Sequence, residues 1–202
     1  GQFYSVSVDD AKPYNVYGGL QDNGVWYMPS QNPRNSFGGS GLGLADGIEK
    51  NIGGGDGMQV FADTRDNSTF YAGSQFGAYF RGNKNGGQRK SLRPRHELGE
   101  TPLRFNWETP ILLSKHNQDI FFIASNRVHR SFNQGDSIAN VSTDLTKGGI
   151  SGDVPYGTLT CIAESHLRFG LLYVGSDDGL IHISKDAGNT WQNIGKMELL
   201  II

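Results

Sequence analysis

One pattern returns along the chain at a nearly constant interval. An aromatic residue stands two positions before a small one at Tyr17 and Gly19, Tyr71 and Gly73, Phe122 and Ala124, and Tyr173 and Gly175. The four aromatic anchors are 54, 51 and 51 residues apart. Eight residues ahead of each is a small or acidic residue, namely Asp9, Asp63, Ser114 and Ser165. Each of these closes a strand candidate, over 3–8, 58–62, 110–113 and 159–163. Each anchor is followed by a turn and a further strand candidate, over 25–28, 78–80, 128–130 and 180–183. No window carries a sustained 3.6-residue apolar period, which disfavours a helical repeat.

A period of about 50 residues holding three or four short strands is the sequence mark of propeller blades. The expected fold is therefore all-β, a β-propeller of about four blades of four-stranded antiparallel sheet, with blades at 1–50, 51–104, 105–155 and 156–202. Blades bury their faces against neighbours, so an open arc of four leaves two apolar faces bare. The expectation is a piece of a larger propeller of roughly six to ten blades, or ends covered by a partner or by self-association. The start at Gly1, directly in a strand candidate, reads as an excised piece of a longer protein. The apolar tail 197–202 reads as a closing strand or a truncation scar.

The sharpest local signal is Ser184-Lys185-Asp186-Ala187-Gly188-Asn189-Thr190-Trp191. It reads Ser-x-Asp-x-Gly-x-Thr-Trp between two strand candidates. Asp186 can accept backbone hydrogen bonds, Gly188 can take φ > 0, and Trp191 brings a large apolar face to the next strand. A degenerate copy, Ser131 to Ile138, lies 53 residues earlier, with Asn133 for the Asp and Ser137 for the Thr. The octapeptide resembles the Asp-box, or BNR repeat, of β-propellers. Tyr14 to Gly24, Gly53 to Gly57, Arg104 to Trp107 and Tyr173 to Gly179 extend the likeness to propellers grouped with sortilin-like domains and xyloglucan-type glycoside hydrolases. That resemblance implies Ser184, Asp186, Gly188, Thr190 and Trp191 as structural residues, and an extracellular or periplasmic, secreted protein. It does not choose between hydrolase, receptor and assembly factor. The arginine triad of sialidases is not recognisable.

Bulk properties exclude several classes. A net charge of -2 carries no overall footprint for nucleic acid. No apolar run approaches the roughly 20 residues of a membrane-spanning helix. The single Cys161 excludes an intrachain disulfide framework, and is expected as a buried, inert thiol. No His pair has metal spacing, no Ser sits in Gly-x-Ser-x-Gly, and the glycines at 38–43 precede neither a Lys nor a clear helix. No cofactor and no metal site are expected.

Candidate functional residues gather on the face of the links between blades, roughly 31–56, 82–108 and 139–157, because loops that long tend to carry function. Asp22, in a turn after Gln21, and Asp56, after three glycines, are the candidate catalytic pair. Two carboxylates across a cleft, about 5–10 Å apart, are what glycoside hydrolysis needs, and the xyloglucan-type resemblance implies that role on this face. Both are also residues that cap turns. Arg95, Arg104, Asn106, Trp107, Gln21 and Tyr156 combine stacking faces with hydrogen bonding, which suits a sugar ring or a peptide. Asp177 and Asp178 are two carboxylates in one turn, a weak cation signal. The leading expectation is a binding module for a glycan or protein segment. A glycoside hydrolase using Asp56 and Asp22, and an architectural propeller, are the alternatives.

Overall fold

The computed structural model describes residues 1–31, 50–150 and 152–195. The chain divides into two compact units, Gly1–Ser91 and Leu92–Ile202. Sixteen strands and no helix occur among the described residues, so no helix there is long and apolar enough to cross a membrane. In the first unit, β1 (Phe3–Val8), β2 (Asn15–Leu20), β3 (Gly24–Pro29) and β4 (Lys50–Gly53) form one sheet in chain order. β5 (Val60–Ala62), β6 (Thr69–Ser74), β7 (Ala78–Asn83) and β8 (Lys90–Ser91) form another. In the second unit the sheets are β9 (Ile111–Leu113), β10 (Phe121–Ala124), β11 (Val128–Ser131) and β12 (Ala139–Asn140), then β13 (Leu159–Glu164), β14 (Leu172–Ser176), β15 (Ile181–Ser184) and β16 (Gln192–Asn193). Every neighbouring pair is antiparallel, so each sheet is a meander and each repeat unit of the sequence builds one. The expected boundary at residue 50 falls in β4.

The anchors mark the second strand of each sheet, and in the first three sheets that strand buries its anchor. Tyr17 is fully buried and lies opposite Tyr27 in register, with the rings stacked at 5.6 Å. Together with Val25 and Ile52 they pack on Val60, Ala62, Phe70 and Ala72 of the second sheet. Burial of each of the larger side chains, such as Val25, Val60 and Phe70, is worth about 1.5–3 kcal/mol. The residue eight places ahead has a physical role here: the Tyr17 hydroxyl donates to Asp9 Oδ2 at 2.8 Å. Asp9 also accepts from the Asn15 backbone and side chain and from Lys84 Nζ. Burial alone would raise its pKa, but these donors hold the carboxyl well below its ordinary value. Gly19 is needed by close approach, since a Cβ there would sit 2.1 Å from the Met58 carbonyl oxygen.

The second unit repeats the scheme. Phe122, Ala124, Val128 and Leu145 pack on Leu159, Leu172 and Val174, with Trp191 against their edge. Trp191 donates its indole N–H to Gly188 O at 3.0 Å, within the turn.

One expectation needs correction. Cys161 is exposed rather than buried. A register shift between Leu159 and Cys161 breaks the alternation of β13, so the thiol leaves the face that Leu159 buries. The fourth anchor, Tyr173, is 39% exposed, whereas Tyr17, Tyr71 and Phe122 are fully buried. Its face of the fourth sheet, which also shows Ile181, is apolar and open. In the first unit, Phe3, Val6 and Val8 of β1 are likewise exposed, while Ser5 and Ser7 bond inward to Met58 O and Val60 O. The glycine loop at 38–43 and the tail 197–202 lie outside the described residues.

Candidate functional site

The turn between β15 and β16 is closed by its own side chains. Asp186 Oδ1 accepts the Thr190 N–H at 2.9 Å and the Ser184 hydroxyl at 2.8 Å, while Oδ2 accepts the Thr190 hydroxyl at 2.6 Å. Gly188, at φ 96°, donates its N–H to Ser184 Oγ at 2.8 Å. The Thr190 hydroxyl, then its N–H, then Ser184 bring the Asp186 pKa down to about 2. The degenerate copy folds the same way: Asn133 Oδ1 accepts from Ser137 N and Ser131 Oγ, and Gly135 N–H donates to Ser131 Oγ. In both turns the Asx side chain is spent inside the hairpin.

Asp22 and Asp56 meet through a backbone hydrogen bond. Asp56 is 5% exposed, and its Oδ1 accepts the backbone N–H of Asp22 at 2.7 Å. The Asp22 side chain is exposed, on a backbone at φ 60°. Gly57 N–H donates to Leu20 O, and Gly24 N–H to Gly55 O, so the strand entry is bound to the β2–β3 turn on both sides of Asp56. Gln21, in that turn, is exposed.

The second unit builds its link loops on a polar frame. Arg104 donates through Nε to Gly157 O at 3.0 Å, and through one terminal nitrogen to Asp144 Oδ2 at 2.7 Å and Thr146 Oγ1 at 3.0 Å. Burial would raise the Asp144 pKa, but Thr146, Arg104 and Asn126 together lower it. Asn106 Nδ2 donates to Thr158 Oγ1, and its Oδ1 accepts from Glu108 N–H. Lys147 donates its backbone N–H to Asp178 Oδ2 and its ammonium to Asp178 O. Asp177 takes the N–H groups of Gly157 and Thr158 and the Thr158 hydroxyl. On the loops that this frame fixes, several apolar side chains are exposed: Trp107 is 40%, Ile150 67%, Val154 57% and Tyr156 38% exposed. Arg95 is placed elsewhere, in a mixed-charge cavity of about 180 Å³ with Glu97, Glu100, Arg127 and His129. There His129 is buried, its Nε2 2.9 Å from Ser125 Oγ, and burial with the nearby Arg127 charge pushes its pKa down to about 4.

Asn126, Asp144, Thr146 and Lys147 were missed by sequence reasoning. One signal was present. The residue four after each anchor is an amide or a carboxylate: Gln21, Gln75, Asn126 and Asp177. In three of the four sheets that side chain accepts the N–H of the incoming link, from Asp56 to Gln75, Arg104 to Asn126, and Gly157 to Asp177.

Among the described residues no cluster of three or more His, Cys, Asp or Glu could hold a metal ion. Asp177 and Asp178 spend their oxygens on backbone and hydroxyl donors of neighbouring loops.

Comparison with solved structures places the sheets as propeller blades. The chain is similar to the GH74 xyloglucanase of Xanthomonas campestris, with a TM-score of 0.65 and 14% identity over 98% of this chain and 31% of that one. It is similar also to an ancestral GH74 enzyme, with a TM-score of 0.60 and 17% identity over 96% of this chain and 24% of the other. The chain thus spans about a third or less of the length of these proteins. No family model matches it, and no curated protein does. The fold is a β-propeller segment of four four-stranded blades; identity this low carries the architecture and no activity.

Proposed function

We propose that the chain is a propeller binding module that takes a protein segment on the link-loop face of its second unit. The observation behind this reading is the exposed group Trp107, Ile150, Val154 and Tyr156, carried on loops that Arg104, Asn106, Lys147, Asp177 and Asp178 fix in place. Exposed apolar side chains on a preorganised frame are what a binding surface requires, because little ordering entropy remains to be lost on association. The mixture of aromatic and branched aliphatic groups favours a peptide over a sugar. A sugar site needs free polar groups beside its stacking rings, and the Arg104 and Asn106 side chains are already engaged.

The paired-carboxylate reading of Asp22 and Asp56 draws less from the geometry. One oxygen of the buried Asp56 carboxylate is engaged by the Asp22 backbone N–H. The test is capture on paired peptide and glycan arrays, with Trp107→Ala and Ile150→Ser variants. Capture of peptides by the native chain, lost in both folded variants, supports the proposal. Capture of glycans alone, or capture unchanged in the variants, overturns it.

A further inference from the structure

The chain is slightly acidic as a whole, yet residues 81–95 hold Arg81, Lys84, Arg89, Lys90, Arg93 and Arg95 and no carboxylate. In the first unit two of these residues, Lys84 and Arg89, line a cavity of about 240 Å³. Its wall includes Lys50, Asn51, Asn83, Lys84, Gly87 and Arg89, and no carboxylate among the described residues lines it. We propose that this cavity is a site for a divalent tetrahedral oxyanion, the phosphate or sulfate group of a ligand.

Lys84, Arg89 and Gly87 are held in ways that suit the role. Lys84 has a side chain only 12% exposed; its ammonium pairs with Asp9 Oδ2 at 3.0 Å and sits 4.9 Å from the Tyr27 ring centroid. It is a fixed point charge, and Asp9 offsets one unit of the local charge from behind. Lys50, Lys84 and Arg89 against Asp9 leave a net +2, which a doubly charged oxyanion matches. The Arg89 guanidinium lies over the Phe80 ring at 4.6 Å, so its face is covered and its edge is left for planar, paired hydrogen bonding to oxygen. The Asn51 amide donates to Asn23 O and the Asn83 amide to the Ser68 and Thr69 hydroxyls, which leaves recognition of an anion to Lys50, Lys84 and Arg89. Gly87, at φ 106°, lies where an added Cβ would meet nothing within 4 Å, so the rim is open and lets an anion approach the backbone closely.

The site belongs to a different unit from the apolar loop surface, and it stands or falls independently of the peptide reading. The test titrates the full chain with inorganic phosphate and with inorganic sulfate at constant ionic strength, so that general screening is held fixed. Binding is read from amide chemical shifts of residues 82–90 and from calorimetry. Saturable binding is expected, weakened about tenfold in Arg89→Gln and in Lys50→Gln, since each removes one charged donor. Lys115→Gln, an exposed lysine of the other unit, is expected to bind as the native chain does. Binding of phosphate alone points to a phosphorylated ligand, of sulfate alone to a sulfated one, and of both to recognition of the oxyanion itself; all three support the site. Failure of both anions to bind, or native affinity in the two folded variants, overturns it.

Discussion

Asp56 reaches across to the β2–β3 turn and accepts the backbone N–H of Asp22 at 2.7 Å. The two aspartates are therefore unequal. One supplies a buried acceptor, and the other supplies a peptide group while its own carboxylate faces solvent. Removing the acceptor strands a backbone donor, which costs about 1–3 kcal/mol. Asp56→Ala is expected to lose about that much in urea unfolding. Asp22→Asn is expected to stay within about 0.5 kcal/mol, because Asn tolerates the left-handed backbone and keeps the N–H. Equal losses in the two variants would contradict the clasp.

What the sequence showed, and what it hid, follows from the range of each interaction. Tyr17, Tyr71 and Phe122 announced their strands because a side chain buried at one position of a repeated sheet must recur with the repeat. The Asp186 turn was legible because all its partners lie within four residues. Arg104 was legible only as a polar residue beside an aromatic one. Its partner Asp144 is 40 residues away, and no local pattern announces that pairing. The exposure of Cys161 depends on one register shift in β13, which moves a thiol across the sheet without changing the composition of the segment.

His129 gives the fold a pH dependence with a definite sign. Its pKa in the folded chain is about 4, below the ordinary 6.5, because burial and Arg127 disfavour the charged ring. The unfolded chain takes the proton first. This contribution to stability is complete above about pH 6.5 and is lost as the pH falls toward 4, a change of roughly 3 kcal/mol. His129→Gln is expected to flatten urea-derived stability between those limits. His182, pushed the same way by burial, leaves a smaller slope. A variant retaining the full native slope would refute the assignment.

Asp186 acts in the more acid range. Its folded pKa of about 2 lies below its ordinary 3.8, so its contribution is present above about pH 4 and fades as the pH falls toward 2. The Asn133 turn performs the same closure with an uncharged amide. Asp186→Asn is therefore expected to keep the hairpin, read from protection of the Thr190 amide against hydrogen exchange. It should also reduce the loss of stability between pH 4 and 2. Asp9, Asp66 and Asp144, whose pKa values are also lowered, supply the remainder. Loss of Thr190 protection at neutral pH would show that the charge, not the acceptor, closes the turn.

Arg104 and Trp107 are three residues apart and are expected to fail in different ways. Arg104 joins its own loop to Gly157, Asp144 and Thr146, and its side chain is 20% exposed. Arg104→Ala leaves the Gly157 carbonyl without its Arg104 donor and removes the charged partner of Asp144, which keeps Asn126 and Thr146, at a cost of about 1.5–3 kcal/mol in chemical denaturation. Trp107 is 40% exposed, and Trp107→Ala is expected to change stability by less than about 1 kcal/mol. On a peptide recovered from the array, however, Trp107→Ala should weaken binding by about 2 kcal/mol, roughly thirtyfold, as truncation of an aromatic anchor does. Arg104→Ala should weaken binding mainly through faster dissociation from a loosened surface. If Trp107→Ala instead unfolds the chain while binding by the folded fraction is unchanged, the tryptophan is a packing residue and the binding surface lies elsewhere.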